Sequence, residues 1–246
     1  MPDHRQHRGP NPRDAEAFAA EMLPRLRQAC ADLCWLLSRG YADKSAGTLV
    51  GDRYALTERQ RIAVRRCACS DESLQQRRSR QATPSELTGA RLEIDGYNVL
   101  TTVETALAAG FVLVGRDGCY RDMASMHGNF KKVAETATAI ALIGQTLARG
   151  AVHSAIWYLD APVSNSARLK QQILEIATAH DWPWQVELVP DPDSILSAPA
   201  SQPSTSLIAS ADSAILDHDR RWFSLAREVV REHVPDALIV SFSDAQ

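Results

Sequence analysis

Leu92-Glu93-Ile94-Asp95-Gly96-Tyr97-Asn98-Val99 reads as a short apolar strand that ends in Asp, then Gly, and turns into a helix. Open α/β sheets present ligands with the crevice outside the carboxyl ends of their strands, so an acid there faces a metal or a phosphate. Two later segments repeat the pattern. Ser154-Ala155-Ile156-Trp157-Tyr158-Leu159 runs into Asp160, and Ser206-Leu207-Ile208-Ala209-Ser210-Ala211 runs into Asp212. Both runs are apolar enough to be buried parallel strands. Between them Gln185-Val186-Glu187-Leu188-Val189 is a further strand, followed by Pro190-Asp191-Pro192-Asp193. Acids recur at one kind of position.

Outward from these strands, Val99 to Ala109 reads as helix, Phe111 to Val114 as a strand or loop, and Gly115-Arg116-Asp117-Gly118 as a turn. Met123 to Arg149 and residues 166 to 180 read as helices, Ser197 to Ser204 as a flexible loop, Arg221 to His233 as a last helix and Ala237 to Phe242 as a last strand. This alternation predicts an α/β protein built on a parallel three-layer sheet. Upstream, apolar residues at helical spacing from Ala15 to Arg39 predict one amphipathic helix. Thr57-Glu58-Arg59-Gln60 is a capping-box pattern opening a helix that carries Arg59, Arg61, Arg65 and Arg66. The expected organisation is a disordered tail over 1–14, a helical domain over 15–88 and an α/β domain over 91–246.

The 246 residues, 45% hydrophobic and 23% charged, suit an ordinary folded protein of one large or two modest domains. No apolar run has the length to span a bilayer and the polar N-terminus lacks the apolar core of a signal peptide, so the expectation is a cytoplasmic protein without membrane contact. The net charge of −3 hides an asymmetry. Residues 1–90 carry 15 Lys and Arg against 11 Asp and Glu, and the remainder 12 against 19. A basic half could contact nucleic acid while an acidic half holds a metal; a solvated helix surface explains the same surplus. Cys30 with Cys34 and Cys67 with Cys69 could offer four thiolates to zinc, but neither spacing matches the CxxC knuckle, and buried reduced thiols are the expected reading.

IDGYNVL, followed in order by WYLD, PDPDSIL and IASADSAIL, resembles the PIN-like nuclease superfamily, especially its NYN branch. Over about residues 15 to 244 the chain also resembles the prokaryotic domain-of-unknown-function family 434, through LLSRGYADKSAGTLVGDRYALTERQR and RDGCYRDMASMHGNF. The resemblance implies a three-layer α/β/α PIN-like domain behind a small helical domain. It implies a metal-dependent nuclease hydrolysing phosphodiester bonds in RNA, using carboxylate-bound Mg²⁺ or Mn²⁺ and an activated water. An inactive PIN-like nucleic-acid-binding or scaffold protein is the alternative, and self-association stays open.

Such a site needs several carboxylates, because Mg²⁺ and Mn²⁺ take hard oxygen ligands, and clustered acids without a cation repel. Asp95, Asp160 and Asp212 are the expected metal ligands, with Asp193 as a fourth catalytic acid acting through water; each could instead cap a helix. Asp191 and Asp217 compete for the same role. Asn98, Arg116, Arg121, Lys131, Asn165 and Ser166 are candidate nucleic-acid contacts. Their plainer readings are an Asx turn at Asn98, local salt bridges of Arg116 and Arg121 with Asp117 or Asp122, a solvated face at Lys131 and Lys132, and a helix cap at Asn165 and Ser166. Trp157, Trp182, Trp184 and Trp222 could stack bases, though core packing is the expected use; His127 and His153 lack a second His at ligand spacing. No GxxxxGK[ST], GxGxxG or GxSxG occurs, which disfavours a P-loop enzyme, a dinucleotide binder and an α/β-hydrolase. Tyr97 stands where an aspartyl-nucleophile phosphatase places its second Asp.

Overall fold

The structure is a computed structural model that describes residues 7, 9–123, 133–199 and 206–242. Its N-terminal part is helical: α1 (Asp14–Ala17), α2 (Leu23–Leu37), α3 (Asp43–Arg53), α4 (Glu58–Cys67) and α5 (Asp71–Arg80). The single helix expected from Ala15 to Arg39 is broken into α1, a 3₁₀ turn and α2, whose first turn holds Pro24. A proline is tolerated there because that N–H has no helical acceptor, whereas deeper in a helix it removes a bond and clashes. Asp14, placed in the tail by the sequence reading, is buried in α1 and paired with Arg59 of α4. The capping box is present, with the Gln60 N–H donating to Thr57 Oγ1 and the Thr57 N–H to Gln60 Oε1.

The rest of the chain runs β1 (Arg91–Asp95), α6 (Gly96–Leu107), β2 (Phe111–Val114), β3 (Tyr120–Arg121), α7 (Thr136–Arg149), β4 (Ser154–Asp160), α8 (Ser166–Ala179), β5 (Trp184–Val189), α9 (Pro192–Ser197), β6 (Ser206–Ala209), α10 (Ser213–Leu216), α11 (Leu225–His233) and β7 (Leu238–Ser241). Strands β5-β4-β1-β6 form a sheet whose neighbours are all parallel. Successive strand residues point to opposite faces. Leu92, Ile94, Trp157, Leu159, Leu207 and Ala209 accordingly join residues of α6, α7, α8 and α11 in the main core. Ile208 and Tyr158 face the other way, toward Leu196 of α9, Ile215 and Leu216 of α10, and Trp222. The free edge of β6 is covered where Trp222 bridges Ile208, which shields unpaired strand groups from a second chain.

One parallel sheet was expected; the structure has two. β2 and β7 pair in parallel and β3 joins β2 antiparallel, forming a separate three-stranded sheet. Leu113, Val240 and Phe242 of that sheet region complete the core of α2 and α4, beside Leu26, Leu33 and Val64. Burial of these side chains against the N-terminal helices draws β2 and β7 away from the main sheet. The helix expected from Met123 begins only at Thr136, since Met123 and residues 133–135 are described and not helical; Lys131, Lys132 and His127 lie outside the described residues.

Candidate functional site

Because β1, β4, β5 and β6 run in parallel, their carboxyl ends share one edge of the sheet. Asp95 ends β1, Asp160 ends β4, Asp193 lies in α9 just after β5, and Asp212 caps α10 just after β6. The chain steps outward from β1 to β4 and β5, then returns to add β6 on the other side of β1. Ligands of open α/β sheets bind where the strand order reverses. Asp95 and Asp212 stand at that point.

Gly96 permits the tight junction after Asp95. A Cβ there would come within 2.9 Å of the Tyr158 carbonyl oxygen and collide with Leu159, so the lack of a side chain lets α6 begin directly against β4. The loop after β6 is then stitched to β1 and α6. Ser210 Oγ donates to Asp95 Oδ2 at 2.7 Å, the Asp212 N–H donates to Ser210 Oγ at 2.9 Å, and the Ala211 N–H donates to Asn98 Oδ1 at 2.9 Å. Asn98 thus bridges α6 to the β6 loop. Asp212 also accepts the Ala214 N–H at 2.7 Å, so its capping role and its place in the acid group coexist.

The electrostatics set Asp95 apart. It is 7% exposed, and burial pushes its carboxyl up to about 7, with Asp193 and Asp212 adding repulsion against the opposing Ser210 bond. Asp193 is raised by partial desolvation and then by Asp212, Asp191 and Asp160. Asp160 is raised by burial and then by Asp191. Three other sequestered acids are neutralised by arginines: Asp14 faces Arg59, Glu93 is forked by Arg220 at 2.6 and 3.0 Å, and Asp117 faces Arg77 and Arg121, while buried Asp122 and Glu104 accept from the hydroxyls of Thr101 and Thr136. Among the described residues no Lys, Arg or His forms an ion pair with Asp95. Asp191 accepts from Ser194 at the start of α9, which lowers its carboxyl.

The structure commits the candidate arginines elsewhere. Arg121 is buried, forks Asp117 at 2.8 and 2.6 Å and donates Nε to the Ala211 carbonyl oxygen at 2.8 Å. Arg77 bonds the same Asp117 at 2.6 Å and forks Asp217 at 2.7 and 2.9 Å. Arg121 therefore holds the loop carrying Asp212 from beneath instead of facing a phosphate, and Asp217 is tied to Arg77. Arg116 pairs with Asp71 at 2.6 Å and donates to the Cys69 carbonyl oxygen at 3.0 Å, fastening the turn before β3 to the start of α5. Its partner is Asp71, neither Asp117 nor Asp122. Asn165 is the left-handed residue before α8 with φ 67°, and Ser166 is buried in the first turn. Both lie on the same sheet edge as Asp160. Trp157 and Trp222 are fully buried, and Trp184, at the amino end of β5, packs on Trp157 and Trp182. Core packing accounts for these indoles. Ser210 and Arg77 were not singled out from the sequence, whereas the Arg121–Asp117 bridge is one of the local salt bridges that the turn offered; the Ser two residues before Asp212 was the available signal for the first.

All five cysteines are buried and free. Among the described residues, no group of three or more His, Cys, Asp or Glu side chains is arranged to hold a metal ion. The acid edge supplies hard oxygens and excess negative charge, but not a closed set of three ligands.

The family model described as Domain of unknown function (DUF5616) matches residues 84–228, more than half of the chain. The chain belongs to that family. Its N-terminal helices match a second model, Protein of unknown function (DUF434), over residues 25–80. The chain is also similar to the uncharacterized protein MJ0935 of Methanocaldococcus jannaschii, with 27% identity over 191 residues that cover 78% of this chain and 88% of that protein. No solved structure matches it. Among the described residues no helix is long and apolar enough to cross a membrane.

Proposed function

We propose that this member of the family is a metal-dependent, PIN-like nuclease that hydrolyses phosphodiester bonds in RNA. The observation that carries the reading is Asp95: a buried carboxylate at the strand-order reversal, paired with no described basic side chain and pressed by Asp193 and Asp212. Leaving such a charge uncompensated is costly, and a divalent cation at the acid edge would relieve it. The donor chemistry fits Mg²⁺ or Mn²⁺, which take oxygen ligands. Mg²⁺ commonly uses one or two carboxylates and completes its shell with waters and substrate phosphate. When bound, the ion supplies charge neutralisation at phosphorus and a lowered pKa for an attacking water. Asp95 and Asp212 would hold it, with Asp160 and Asp193 completing the site. Ser210 and Asn98 fix the orientation of this edge through their bonds to Asp95 and Ala211. RNA as substrate, and the PIN-like assignment of the α/β region, come from the resemblance of IDGYNVL, WYLD, PDPDSIL and IASADSAIL.

The incomplete ligand set favours one second reading, a PIN-like module that binds nucleic acid without turnover. Incubation of the protein with labelled single-stranded and structured RNA in Mn²⁺, Mg²⁺ or EDTA separates the two. Cleavage that requires the ion and disappears in Asp160→Asn and Asp95→Asn supports the nuclease; binding without cleavage in every condition supports the module.

A further inference from the structure

An open cavity of about 540 Å³ runs from the N-terminal helices to the acid edge, lined on one wall by Arg65 and Arg66 of α4 and on the other by Asn98 and Asp212. Its charges are mostly spoken for. Arg65 pairs with Asp43, Arg77 with Asp217 and Asp117, and Arg121 with Asp117. Arg66 differs: it lines the cavity half-buried and forms no ion pair among the described residues, and its Nε, shut off from solvent, has no acceptor there. A guanidinium fork matches phosphate oxygens. The same wall holds Ser70 and Ser73 at the start of α5, where the helix end adds partial positive charge.

We infer that this cavity receives a single-stranded phosphodiester chain, with Arg66 donating to one phosphate and Asp212, the acid-edge carboxylate that lines the cavity, facing the strand farther along. The cavity volume falls within the ~300–1,000 Å³ of small-ligand sites, room for a nucleotide unit and not for both strands of a duplex. Arg66 and Asp212 both line the cavity, so a strand lying in it meets an unpaired cation and an acid-edge carboxylate. The proposed nuclease reading supplies the reacting end; the phosphate site itself rests on the cavity and the unsatisfied guanidinium.

The test is fluorescence anisotropy with a short fluorescein-labelled oligouridylate in EDTA, so that binding is read without cleavage. Wild type is expected to bind the strand and to bind its duplex with oligoadenylate more weakly. Arg66→Ala should weaken strand binding roughly tenfold and flatten the log affinity against log salt plot by about 0.7. Arg66→Lys should keep the salt slope and recover part of the affinity, because it restores charge without the fork. Melting curves of both variants establish that they fold. Binding unchanged in Arg66→Ala, a duplex bound as tightly as the strand, or no binding by wild type overturns the inference. If Arg66→Ala binds normally while wild type cleaves RNA in Mn²⁺, the phosphate site fails and the nuclease reading stands. If binding depends on Arg66 but no ion supports cleavage, the phosphate site stands and the nuclease reading fails.

Discussion

Ser210 donates its hydroxyl proton to Oδ2 of Asp95 across 2.7 Å, from the end of β6 to the end of β1, while accepting the Asp212 N–H at 2.9 Å. One hydroxyl therefore links two of the strand-end acids and fixes their relative position. The bond favours an ionised Asp95, whereas burial and the neighbouring acids oppose ionisation more strongly and set the carboxyl near 7.

That balance has a pH signature. An unfolded Asp titrates near 4, so between about pH 4 and 7 the folded chain holds a proton on Asp95 that the unfolded chain has lost. Stability from this group is thus fully present at the acid end of the window and is lost as pH rises through 7, at up to roughly 1.4 kcal/mol per pH unit. Asp95→Asn keeps an acceptor for Ser210 and removes the charge. Its thermal midpoint should exceed that of wild type at pH 8 and approach it near pH 4, read by melting both proteins without divalent ions. A variant less stable than wild type at pH 8 would show that the Asp95 charge is compensated in a way this account lacks.

Arg121 tests the support beneath the site. Its guanidinium is locked between Asp117 and the Ala211 carbonyl oxygen, and removing it leaves buried Asp117 with Arg77 alone and the Ala211 carbonyl without its donor. Arg121→Ala should destabilise the fold by about 3–5 kcal/mol, measured by urea unfolding. A loss within 0.5 kcal/mol, the ~0.5 typical of surface changes, would mean that the Asp117 network contributes nothing to the fold.

Gly96 is the steric hinge of the strand-end motif. Gly96→Ala forces a methyl toward the Tyr158 carbonyl oxygen and Leu159, which should cost about 1–3 kcal/mol and push β1 and β4 apart where Asp95 and Asp160 end. Both the melting temperature and any ion-dependent cleavage are expected to fall together. An unaltered melt would place the α6–β4 approach elsewhere.

The acid edge was legible because strand ends are local: a few apolar residues followed by Asp reveal the position, and parallel pairing brings every such end to one side. The capping box at Thr57 was legible for the same reason. What stayed hidden depends on pairing between distant positions. Arg77 meets Asp217, and Arg121 supports Ala211, across intervals on which local periodicity is silent. The separation of β2 and β7 into a second sheet follows from Leu113, Val240 and Phe242 filling the core of the N-terminal helices, a partner that apolar character alone does not name. Arg121 illustrates the limit: an exposed phosphate contact and a buried salt bridge share one sequence, and burial decides between them.

Everything proposed for this edge requires that the acids around Asp95 bind a divalent ion. Calorimetric titration of Mn²⁺ into wild type and Asp95→Asn at pH 8, followed by incubation of both with RNA, tests it most directly. Saturable binding and RNA cleavage are expected in wild type, with both lost in Asp95→Asn. Equal Mn²⁺ binding by the two proteins, or none by either, would contradict it.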